Sequence, residues 1–192
     1  MTYSLYTKAS EISRFFIALC TILAVFPFLL FIRDEYVESL IYVCLKTIRR
    51  YFMRTIDTIQ VGDSASFTKT VTETDIILYA GISGDMNPAH INAEAAKEGM
   101  FGQRIAHGML SAGFISCVLG MYLPGPGTIY MGQELKFTKP VYIGDTVTAT
   151  ATVTERIVEK NRLILDTIVT NQNGDVVIKG KATVMPPKAP EK

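Results

Sequence analysis

From Asp145 to Ile157 the chain alternates, with Val147, Ala149, Ala151 and Val153 on one side and Thr146, Thr148, Thr150, Thr152 and Thr154 on the other. A period of two predicts a strand with one buried face. Leu163, Leu165, Ile168 and Val169 predict another strand, and Val176, Val177, Ile178, Ala182 and Val184 a third, with the hairpin signal Asn173-Gly174 between them. Residues 66–71 and 128–138 add two more. Between the first strand and the rest the period changes. Thr72 and Asp75 are spaced as a capping box, and Ile76, Tyr79, Ala80 and Ser83 follow at helical intervals, which predicts a helix over 73–83. The stretch SGDMNPAH, Ser83 to His90, breaks that helix into a turn-rich loop. After a small helix at 93–98, HGMLSAGFISCVLGMYL (His107 to Leu123) is apolar on every face. Such a helix is a buried one, and Pro124, Gly125, Pro126 and Gly127 stop it. One strand, helices, then four strands predict an α+β layer arrangement. The sheet lacks a second helix layer, which makes a homodimer the expected state.

The N-terminal part reads differently. Phe15 to Ile32 is an uncharged apolar run interrupted only by Pro27, at the lower limit for crossing a hydrocarbon core. Lys8 and Arg14 on one side, and Arg33, Lys46, Arg49 and Arg50 on the other, give it no clear orientation. No small-residue cleavage site follows, so a signal peptide fits less well. The expected division is residues 1–52, an apolar N-terminal segment (a possible membrane helix or a mis-assigned start), and residues 53–192, a compact domain opening at Met53. The domain is expected to be the whole functional unit. The expected location is cytoplasmic, with a membrane anchor through residues 15–32 as the alternative.

Composition narrows the chemistry. Net charge is +1, from 19 Lys+Arg and 18 Asp+Glu, with no long basic run, so no nucleic-acid footprint is present. Hydrophobic residues make up 48% of the 192, which excludes a wholly disordered chain. Cys20, Cys44 and Cys117 have no metal-ligand spacing, and His90 and His107 alone cannot complete a three-ligand zinc site. No metal and no cofactor are expected.

Candidate chemistry gathers in one loop, where Asp85, Asn87 and His90 put a carboxylate, an amide and an imidazole within six residues. An acid and a base reaching one water are what proton transfer needs, and histidine suits neutral pH. The same Asp and Asn also suit the capping of their own backbone.

The segment YAGISGDMNPAHINAEAA, Tyr79 to Ala96, resembles the signature of the MaoC-like dehydratases, also called the hydratase 2 or (R)-specific enoyl-CoA hydratase family. The likeness continues through FGQRIAHGML (Phe101 to Leu110) and YMGQELKFTKPVYIGDTV (Tyr130 to Val147), covering about residues 53–186. It implies a hotdog fold, a long helix wrapped by a curved antiparallel sheet, with His107 to Leu123 as that helix. It also implies hydration of a trans-2-enoyl thioester of CoA or acyl carrier protein, or the reverse dehydration, in fatty-acid or hydroxyalkanoate metabolism. Carried over by residue, the catalytic pair falls on Asp85 and His90, the thioester oxygen on the Gly108 amide, and a supporting serine on Ser116. Asn87 shapes the loop, and His107 is structural. The rival readings are a hotdog thioesterase and a noncatalytic acyl-thioester-binding protein.

Overall fold

The computed structural model describes residues 54–188; the apolar run at 15–32, and with it the expected 1–52 segment, lies outside the described residues. The order is β1 (Ser64–Thr70), α1 (Glu73–Ser83), α2 (Pro88–Ile91), α3 (Ala93–Glu98), α4 (Gly108–Met121), β2 (Ile129–Phe137), β3 (Thr146–Ile157), β4 (Arg162–Thr170) and β5 (Val176–Met185). The strands form one antiparallel sheet in the order β1-β3-β4-β5-β2.

The alternation of β3 places Val147, Ala149, Ala151 and Val153 on the inner face, all buried. Leu163, Leu165 and Val169 of β4 join them, as do Ala182 and Val184 of β5. Against this face lies α4, which sends in Ala112, Ile115, Val118 and Leu119 and touches β1, β2, β3 and β4. The alanines opposite leave room for the helix to approach. Each fully buried Ile or Leu contributes about 1.5–3 kcal/mol. A sheet folded about one long helix is the hotdog arrangement.

Over β1 and β3 the outer face carries hydroxyls that pair across the strands: Ser64 with Thr152 at 2.9 Å, Thr68 with Thr148 at 2.9 Å, and Thr70 with Thr146 at 2.8 Å. The reason for expecting a dimer therefore moves from the sheet face to the sheet edge. There β2 exposes Ile129, Tyr130, Met131 and Phe137. Gly180 of β5 marks how closely that edge is packed, since a Cβ there would lie 1.8 Å from the Glu134 carbonyl oxygen.

The helix over 73–83 forms as the spacing predicts. Thr72 is its N-cap, with Asp75 closing the capping box, and Lys69 of β1 pairs with Asp75 at 3.1 Å. Its C-cap is Gly84, at φ 77° and ψ 2°, a left-handed conformation that glycine adopts without a Cβ clash. Within the turn-rich loop one element was not expected: 88–91 is a helical turn. Asn87 caps it, and Pro88 stands at its first position, where a missing N–H costs nothing. Among the described residues no helix is long and apolar enough to cross a membrane.

Candidate active site

Three backbone features set the loop. The left-handed turn at Gly84 redirects the chain out of α1, the Asp85 carboxylate accepts from the Asn87 N–H at 3.2 Å, and the Asn87 side chain accepts from the Ala89 N–H at 3.1 Å. The local capping open to these residues in the sequence is thus made, and it occupies only one Asp85 oxygen. Asn87 works on the backbone. The turn of α2 then carries His90 inward to the segment before α4, where its Nδ1 donates to the Ile105 carbonyl at 2.8 Å. That segment is held in turn by Ile105 N–H to Ala89 O, at 3.1 Å, and by Ala106 N–H to Val141 O, at 2.7 Å. Arg104, beside it, pairs with Glu73 at the start of α1 at 2.6 Å.

His107 is the N-cap residue of α4, without a side-chain cap bond. Its Nε2 donates to the Asp85 carbonyl at 3.0 Å. Its ring stacks on that of His90, centroids 3.8 Å apart and planes at 30°, and meets Tyr79 at 5.0 Å. One atom each from Asp85, His90 and His107 lies within 4.8 Å of the others. A carbonyl oxygen can only accept, so in neutral His90 the hydrogen is on Nδ1 and the lone pair on Nε2.

Each imidazole already donates one nitrogen to a backbone carbonyl, His90 to Ile105 and His107 to Asp85. What the arrangement supplies is a carboxylate and a basic imidazole within reach of one water.

They border a cavity of about 450 Å³, lined by Tyr79, Phe101, Ile105, Met109, Phe137 and Val141 among others, and mostly apolar. Gly108 opens α4 on its wall. First-turn amides have no partner within their own helix and lie at the positive end of its dipole. A Cβ at Gly108 would stand 2.7 Å from the Phe137 ring, so glycine keeps the gap between helix start and β2 passable. Lys139 stands at the rim, paired with Asp175 at 2.6 Å.

The expected site residues are not all brought together. Asp85, His90 and Gly108 border one cavity, and Asn87 shapes its loop. Ser116 is exposed on α4, outside the lining, and makes no hydrogen bond to the loop among the described residues. Sequence reasoning passed over Ser111, which is buried in the cavity wall with its hydroxyl unpartnered. Its spacing of four from His107 on a helix was the signal that would have found it.

A family model described as "MaoC like domain" matches residues 58–173. Over 129 residues the chain is 59% identical to an (R)-specific enoyl-CoA hydratase of Rhodospirillum rubrum, covering 67% of this chain and 89% of that protein. To a 3-hydroxybutyryl-CoA dehydratase of Methylorubrum extorquens it is 41% identical, covering 69% and 84%. An R-hydratase structure from Pseudomonas aeruginosa, unliganded, superposes with a TM-score of 0.67 at 44% identity, covering 70% of this chain and 86% of that one.

Proposed function

The chain belongs to the MaoC-like domain family, and from that premise we propose that it is an (R)-specific enoyl-CoA hydratase, a hydro-lyase adding water reversibly to trans-2-enoyl thioesters. The observation that carries this reading is the meeting of Asp85 and His90, within 4.8 Å, on the wall of a largely apolar cavity. The two side chains hold the water between them. One takes its proton as the oxygen bonds to C3, and that proton is passed to the other, which delivers it to C2, so the elements of one water are added and both groups end the cycle as they began. His90 offers Nε2, and Asp85 the oxygen not engaged with the Asn87 amide.

Negative charge develops on the thioester oxygen during attack. In this reading the Gly108 N–H, at the positive end of α4, receives it. The apolar walls take the acyl chain.

Crotonyl-CoA is the first substrate to try, following loss of the enoyl absorbance. The expected product is the (R)-3-hydroxyacyl thioester, silent to an (S)-specific dehydrogenase. Release of free CoA without hydration would instead make the protein a thioesterase, and binding without turnover an acyl-thioester-binding module. We propose further that it works in the cytoplasm, in fatty-acid or hydroxyalkanoate metabolism.

A homodimer is part of the same proposal. Ile129, Tyr130, Met131 and Phe137 lie exposed along the free edge of the sheet, an edge that a second copy would cover. Sedimentation at micromolar concentration is expected to give twice the chain mass; a monomer there removes this part of the proposal.

A further inference from the structure

His107 has no part in the chemistry above, yet it touches both members of the pair. It is 2% exposed. Its Nε2 donates to the Asp85 backbone carbonyl, which leaves the lone pair of the neutral ring on Nδ1. That nitrogen is buried and has no partner among the described residues. A side chain present only to fill the space would be more stable as a leucine or phenylalanine, because a stranded buried nitrogen costs free energy that an apolar group does not. What the imidazole offers in return is its Nε2–H and its flat face.

Both are aimed at the acid–base pair. The bond from His90 Nδ1 to the Ile105 carbonyl fixes the direction of the His90 ring but leaves it free to rotate about the N–H···O axis. The stack with His107, at 3.8 Å, closes that rotation. At the same time the Nε2–H bond holds the Asp85 backbone to the start of α4, 22 residues further along the chain. The two halves of the pair are thereby referenced to one side chain.

We propose that His107 is a positioning residue that sets the Asp85 backbone and the His90 ring plane relative to each other. This rests on the reading of Asp85 and His90 as the acid–base pair. Misplacement of a reacting group by about 1 Å costs on the order of a hundredfold in rate.

The test uses the full chain with His107→Phe, which keeps the ring and removes both nitrogens, and His107→Gln, which keeps an N–H donor. His107→Phe is expected to melt at or above the wild-type temperature, with KM for crotonyl-CoA little changed and kcat lowered about tenfold or more. His107→Gln is expected to recover part of that loss. Should phenylalanine prevent folding, His107→Leu reads the same removal of the donor. A folded Phe or Leu variant with wild-type kcat, a loss confined to KM, or a Gln variant no better than the apolar one overturns the proposal. Asp85→Asn, run alongside, separates the two readings. If it keeps turnover, the pair itself is wrong; if it is inactive while the His107 variants keep kcat, only the positioning role fails.

Discussion

The rings of His90, in the helical turn after α1, and His107, at the start of α4, stack with centroids 3.8 Å apart although seventeen residues separate them in the chain. Each donates one ring nitrogen to a backbone carbonyl of the opposite segment, His90 through Nδ1 to Ile105 and His107 through Nε2 to Asp85. The loop that carries Asp85 and His90 and the helix entry are thus laced together by two reciprocal bonds. Rigidity of this kind is what a proton-transfer site requires, since its groups must stay in register with one small water.

The pair can be tested directly. Asp85→Asn and His90→Ala are each expected to lower kcat by about a hundredfold or more while the far-ultraviolet circular dichroism stays that of the wild type. Near-normal turnover by either purified variant removes that residue from the mechanism.

Packing at the sheet edge gives a stability prediction with no bearing on chemistry. In Gly180→Ala the new methyl would meet the Glu134 carbonyl oxygen at 1.8 Å, a backbone atom that cannot rotate away, so β2 and β5 must part. A loss of about 1–3 kcal/mol is expected, read as a lower urea midpoint. An unchanged midpoint would mean that the strands are not paired in this register.

Acid should release the cap of α1. Burial pushes the Asp75 carboxyl up, but the Thr72 backbone and side chain and the Lys69 ammonium outweigh it and hold it below the usual 3.8. A carboxyl depressed in the folded state adds stability that is present above its unfolded value and disappears as pH falls through its folded value. Asp75→Asn is therefore expected to cost on the order of 1 kcal/mol near neutral pH, with the gap to wild type closing below about pH 4. A gap independent of pH would contradict the charge-based cap.

Residues 53–192 hold every site side chain named here, and the buried core among the described residues runs from Ile56 to Val184. A chain starting at Met53 is expected to be soluble and to keep wild-type kcat on crotonyl-CoA. Insolubility or loss of activity would make the N-terminal segment part of the working protein.

Periodicity in the sequence determined the elements: the alternation of 145–157 became β3, the capping box began α1, and the all-apolar run after His107 became the central helix. These are local signals, carried by residues two to four positions apart, and local backbone geometry is enough to express them. The polar loop was legible too, with Asn87 capping as its side chain suits it to do. Tertiary structure alone decided the rest. Strand order β1-β3-β4-β5-β2 puts β2 at the edge, so the exposed apolar residues fall there while threonines satisfy one another on the open face. It decided as well that His107 lies on His90 and that Ser116 faces away. The reason is the register of α4 on the sheet, fixed by the packing of Ile115, Val118 and Leu119, and rotation of a helix about its axis is set by its partners rather than by its own sequence spacing.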